Sequence, residues 1–271
     1  MMNRKVTVIL IGLLLLGLTA STQAKLPKEQ TNSLFVQANE AFRNANAATG
    51  EAGRQKHYEK AILNFEKIIN DGQINNAGLF YNLGNVYFLK GDLGKAILNY
   101  RRAEKLDSAD ANIQKNLAFA RSRRIDKIKV KTQKRVLQTL FFWHYDFSTR
   151  TRFTVTCISF AVLCIGLTVF IWFGRNAPTT AAVIISGILT VCFFTSVVLE
   201  ARGQASRVCG VITAESIVAR QGDGPNYQPS FKEPLHGGTE FDLLEQRPGW
   251  LHIKLSDDSD SWIPQSSAET I

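Results

Sequence analysis

The chain has 271 residues and a formal charge of +9, which points to a nucleic-acid binder until the charge is located. Residues 121–152 carry ten Lys/Arg against two Asp, a local surplus of +8 that leaves about +1 for everything else. The basicity is one short stretch, and a basic nucleic-acid-binding domain is excluded.

At the N-terminus, Arg4 and Lys5 precede an apolar segment, residues 6–18, and small and polar residues follow. Thr22-Gln23-Ala24 puts a small residue where signal peptidase cuts, so residues 1–24 are expected to be a secretory signal peptide. Uncleaved, the same segment would be an anchor, and the next residues would be exported either way. Cys157, Cys164 and Cys192 fall inside apolar runs and Cys209 stands alone, so there is no disulfide framework.

Residues 25–124 predict an all-α repeat domain. Ala61-Ile62-Leu63-Asn64-Phe65 returns as Ala96-Ile97-Leu98-Asn99-Tyr100 after 35 residues, and Asn82-Leu83-Gly84 returns as Asn116-Leu117-Ala118 after 34. Such a period marks stacked helical pairs. Residues 77–110 closely resemble the tetratricopeptide (TPR) pattern. Phe80, Leu83, Gly84 and Tyr87 fall on its first helix, Gly91 in the turn, and Ala96, Tyr100 and Ala103 on its second. Gly84 and Ala96 are small because two helices cross there, while Leu83, Tyr87 and Tyr100 fill the space around the crossing. Ser108 stands where the pattern has proline. An earlier, degraded unit pairs residues 35–42 with 58–69, and its spacing predicts residues 43–55 as a polar insertion in the turn. Residues 110–124 predict a capping helix.

Asn39, Asn82, Asn85 and Asn116 fall on first helices, which line the concave face of a TPR array. Asn39 and Asn82 stand where peptide-binding TPR domains hold a ligand's main chain or terminal carboxylate. Lys115 and Arg121 are the candidate basic partners of that carboxylate. Asparagines at such positions equally cap and bridge neighbouring helices, and both readings stay open here.

Residues 125–152 are basic first and aromatic later, with Leu137, Leu140, Phe141, Phe142, Trp143, Tyr145 and Phe147. This juxtamembrane stretch reads as an interfacial belt whose cations face anionic headgroups. Residues 153–173 and 179–199 carry no charge, and each is long enough to cross a hydrocarbon core of roughly 30 Å. The short break at 174–178 makes them antiparallel neighbours, so all that precedes and follows this transmembrane hairpin shares one compartment. Trp172 and Phe173 serve the opposite surface. The positive-inside rule would keep the basic stretch cytoplasmic, whereas the signal exports it. Export is favoured, because otherwise residues 6–18 have no explanation.

Beyond residue 205 the pattern changes to short strands at 208–213, 217–220, 240–245, 250–255 and 262–264, with a Gly/Pro-rich loop at 221–234. Leu251, Ile253 and Leu255 alternate with Trp250, His252 and Lys254, as a half-buried strand should. Trp250, Ile253, a turn, then Trp262-Ile263-Pro264 resemble bacterial SH3-like barrels, so residues 205–271 are expected to form a small all-β SH3-like domain. That resemblance implies Trp250, Trp262 and Pro264 partly exposed around a groove, or else serving as rim residues over a tiny core. Asp257, Asp258 and Asp260 lack the central Gly and the final Glu of an EF-hand and read as a solvated hairpin tip, with no metal.

No phosphate loop, nucleophile elbow, His-Glu-x-x-His or Cys-x-x-Cys occurs, and His57, His144, His236 and His252 lie on four different elements. No catalytic, cofactor-binding or metal residue is expected. The fold class is that of a multidomain membrane protein: TPR helical repeat, transmembrane hairpin and small SH3-like barrel. That order, with the Asn82-Leu83-Gly84-Asn85 start and the Trp262-Ile263-Pro264 tail, resembles the BatE-type TPR proteins of the Bacteroides aerotolerance operon over nearly all 271 residues. The resemblance implies a non-catalytic scaffold in the bacterial inner membrane, with its soluble domains periplasmic. It would act beside von Willebrand factor A-type membrane proteins and a MoxR-type ATPase in envelope integrity under stress. The alternative is a cell-wall-binding module: the SH3-like domain would engage peptidoglycan and the TPR array would recruit a peptidoglycan enzyme.

Overall fold

The computed structural model describes residues 25–128, 140–145, 147, 149–174, 176–206 and 208–271. The expected signal peptide and residues 129–139 of the basic stretch lie outside the described residues. The chain divides after Asn75 into two compact units.

The first unit is a helical pair, α1 (Lys28–Ala47) and α2 (Glu51–Asn70). Ala38, Ala41 and Ala45 are buried on α1, and Tyr58, Ala61, Phe65 and Ile68 on α2. The small side chains of α1 let α2 come close, and Phe35 meets Phe65 edge-on across the pair with ring centres 6.2 Å apart. The Tyr58 hydroxyl donates to Asn46 Oδ1 at 3.0 Å. Residues 43–55 differ from the expected turn. Only 48–50 are non-helical, and the extra residues lengthen both helices. The stretch holds no proline, and Ala45 is buried, so helix costs less there than a long polar loop.

The second unit begins with α3 (Ala77–Lys90), α4 (Leu93–Leu106) and α5 (Ala111–Ser122). Each start is capped by a side chain that satisfies orphan amides: Asn76 accepts from Leu79 N, Asp92 from Lys95 N, and Asp110 from Asn112 N and Ile113 N. Gly91, at φ 93°, ends α3 in the left-handed region. At Gly84 a Cβ would lie 2.7 Å from the Tyr100 ring, so the closeness of α3 and α4 requires glycine. Val86, Ile97, Tyr100, Ile113 and Leu117 fill the core of the three helices.

A short helix, α6 (Phe142–Tyr145), precedes two long ones, α7 (Thr149–Phe173) and α8 (Ala177–Ser206). Arg152 meets Ser196, Ser159 meets Thr190 and Gly166 meets Val183, so the helices run antiparallel in constant register. Both are long and apolar enough to cross a membrane.

The C-terminal portion is a small antiparallel sheet region. Its strands are β1 (Cys209–Ile212), β2 (Ser216–Ile217), β3 (Leu235–His236), β4 (Glu240–Arg247), β5 (Trp250–Lys254), β6 (Asp260–Pro264) and β7 (Ala268–Thr270). Five form a sheet in the order β6-β5-β4-β1-β7, and β2 pairs with β3. The strand expected at 217–220 is shorter. It pairs only at Ser216–Ile217, and Arg220 bridges to Pro229 and Trp262. Ile212, Phe241, Leu251, Ile253 and Ile263 make the core, and Ile128 packs against it from before the helical hairpin.

Candidate functional site

Asn85 of α3 and Asn116 of α5 are turned inward. Asn85 Oδ1 accepts from the Tyr100 hydroxyl at 2.7 Å and from Asn116 Nδ2 at 2.9 Å, and Asn116 also donates to the Tyr81 hydroxyl at 3.0 Å. One amide oxygen thus ties α3, α4 and α5 together. Burial pushes the phenol of Tyr100 well above its ordinary value, which keeps it protonated as a donor. On α1, Asn39 donates to the Phe35 carbonyl of its own helix at 2.8 Å.

Asn82 is different. It is half-buried, and its amide makes no hydrogen bond among the described residues. Lys115 is exposed on α5. Phe119, 49% exposed, packs on Phe88 with ring centres 5.5 Å apart and carries the Arg123 guanidinium 5.0 Å from its own centre. Asn82, Lys115 and the Phe119–Arg123 pair are the half-buried or exposed side chains of α3 and α5 nearest to what the sequence reading singled out.

Arg121, read from the sequence as a partner for a ligand's carboxylate, is already committed. Its Nε and Nη2 hold the two oxygens of Glu240 at 2.8 and 2.7 Å. Arg101 Nε lies 3.1 Å and Arg124 Nη1 3.2 Å from the same carboxylate. Burial alone would push Glu240 up. The hydrogen bond and charge of Arg121, helped by Arg101 and Arg124, outweigh it and hold the carboxyl below its usual range.

A second polar contact lies beside the first. Asp126 accepts from His236 N at 2.7 Å and the Thr239 hydroxyl at 2.6 Å, and its other oxygen is 2.9 Å from His236 Nδ1. Burial opposes the charge here too, but these hydrogen bonds win and the Asp126 carboxyl titrates low. Arg102 meets Glu269 at 3.0 Å. Gly94 comes so near β1 that a Cβ there would sit 2.8 Å from the Ile212 carbonyl oxygen. The sheet is therefore seated on α4 and α5 through charges, a glycine contact and Ile128. Sequence reading missed this seat. Glu240 is 119 residues from Arg121, and no local pattern marks either as half of a pair.

On the sheet, Trp262 is 7% exposed rather than standing open around a groove. The ring of His252 stacks on it at 4.6 Å, and the Arg247 guanidinium lies 4.6 Å from its centre, held by Asp223 and Glu245. Trp250 and Pro264, a cross-strand pair, remain half-exposed. Lys254 and His252 pair with Asp258 and Asp260 at the acidic tip.

The family model for the TPR repeat matches residues 84–123, which span the end of α3, all of α4 and α5. TPR repeats generally mediate protein–protein interactions. No curated protein matches the chain.

Proposed function

We propose that this protein is a non-catalytic scaffold anchored in a bacterial inner membrane, holding a TPR surface and an SH3-like domain on the periplasmic side. The observation that carries the reading is the TPR repeat over residues 84–123, because such repeats are protein-binding modules. The anchor is supported by α7 and α8, of whose apolar stretches only 11% and 17% is buried. A water-soluble protein does not leave that much contiguous apolar surface bare. Two crossings are supported by the seat of the sheet on α4 and α5, since segments on either side of the hairpin must meet in one compartment. The apolar segment at 6–18 argues that this compartment is the exported one.

The order of segments resembles the BatE-type proteins, which directs the scaffold to von Willebrand factor A-type membrane proteins and a MoxR-type ATPase. Asn82 is assigned to a peptide's main chain and Lys115 to an acidic residue or free C-terminus beside it. The test is co-purification of the full-length protein from solubilised membranes. Recovery of membrane proteins with von Willebrand factor A-type domains supports the scaffold. Retention on isolated murein sacculi without such recovery would replace it with the cell-wall reading, for which half-exposed Trp250 and Pro264 offer an apolar edge.

A further inference from the structure

The aromatic residues before α7 do not extend away from the hairpin. Phe147 stacks on Phe193 of α8, with ring centres 6.2 Å apart and planes 12° from parallel. Phe142 meets Phe147 and Trp143, and Phe141 meets Trp143, all with ring centres within 6.3 Å. Yet Leu140, Phe141, Phe142 and Phe147 are 61%, 45%, 51% and 40% exposed. This cluster folds against α8 without covering a core.

A polar lock sets its level along the hairpin. Arg152 is 3% exposed; its Nη1 lies 2.9 Å from Ser196 Oγ and 2.9 Å from His144 Nδ1, and its Nη2 lies 3.6 Å from Glu200. His144 Nδ1 also lies 2.7 Å from Ser196 Oγ. An arginine–carboxylate pair between two apolar helices belongs where hydrocarbon gives way to headgroups, since charge is costly any deeper. Phe193 precedes Ser196 by three residues, which places the Phe147–Phe193 stack about 4.5 Å deeper at 1.5 Å per residue. The cluster therefore straddles the boundary marked by Arg152 and Glu200, and its apolar surface continues into that of α8.

We propose that Leu140, Phe141, Phe142, Trp143 and Phe147 form an interfacial foot. It is seated in the headgroup–acyl boundary of the bilayer that the hairpin crosses and held at that depth by the Arg152–His144–Ser196–Glu200 lock. The occupant of the exposed aromatic face is the lipid surface itself. Trp143 favours that zone because its ring is apolar at one end and has an N–H for water at the other, and Leu140, Phe141, Phe142 and Phe147 supply apolar surface for the acyl boundary beside it. The foot fixes how the hairpin is rotated and how near the soluble portions ride to the membrane. This inference rests on the proposed anchorage.

The test uses the full-length protein in phosphatidylcholine vesicles whose acyl chains carry bromine at a shallow or a deep position. Subtracting the emission of the Trp143→Phe variant isolates Trp143, and Trp172→Phe does the same for Trp172 at the far turn. The expected result is a larger loss of Trp143 emission with shallow bromine than with deep. Unquenched Trp143 beside quenched Trp172 would overturn the foot and leave the anchorage standing. Protection of Trp143 together with a cross-linked pair of chains would give this face to a second copy instead. If alkaline carbonate strips the protein from the vesicles, the anchorage fails and the foot with it.

Discussion

Removing the Glu240 carboxylate should loosen the sheet from α4 and α5. The group is 22% exposed, and the arginines around it, Arg101, Arg121 and Arg124, are 27%, 33% and 28% exposed. Glu240→Gln keeps the size but leaves three guanidiniums facing a neutral amide. Breaking a buried pair costs about 3–5 kcal/mol. Partial exposure lets water and salt screen the leftover charge, so about 2–3 kcal/mol is expected here. The assay is hydrogen exchange on the full-length chain in detergent. If the seat limits opening, protection at β1 and β4 should fall roughly 30–150-fold, since 1.4 kcal/mol is a factor of ten. Acid should reproduce part of this. Glu240 and Asp126 both titrate low in the folded protein. Their contribution is thus complete above the ordinary carboxyl value and lost as pH falls through the lowered one. The wild type should lose protection below about pH 4, and Glu240→Gln should lose less over that range. Unchanged protection at β1 and β4 in the variant would refute the seat.

Gly84→Leu should overpack the α3–α4 crossing and destabilise it by about 1–3 kcal/mol, read as a lower thermal midpoint, because even the first added carbon meets Tyr100 at 2.7 Å. Gly94→Ala should disturb only the seat, since its Cβ meets the backbone at Ile212; faster exchange at β1 with α3 unaffected is the signature. Asn82→Ala should weaken partner binding by about 1 kcal/mol, read as lower recovery, and leave helicity intact. Asn85→Ala orphans the Tyr100 hydroxyl and should cost about 1–3 kcal/mol of stability by thermal melting. A phosphatase reporter fused after Ser267 should be active and one at Arg175 inactive; the reverse would place the soluble portions in the cytoplasm.

Features with a period were legible along the chain. The repeat of Ala61–Phe65 at Ala96–Tyr100 announced helical pairs, and the glycine at the α3–α4 crossing followed from the TPR pattern. The uncharged runs announced α7 and α8, and the alternation at Trp250–Lys254 announced β5. Each is a relation between residues a few positions or one repeat apart, so local geometry dictates it. The turn expected at 43–55 was misjudged because helix-compatible residues can extend two helices as readily as form a loop. Charge pairing was beyond reach. Arg121 reads the same whether it waits for a ligand or holds Glu240, and Asn85 the same whether it meets a peptide or Tyr100. A hydrogen bond depends on where two side chains come to rest in space, and only the tertiary structure brought residues 119 positions apart to within 2.8 Å.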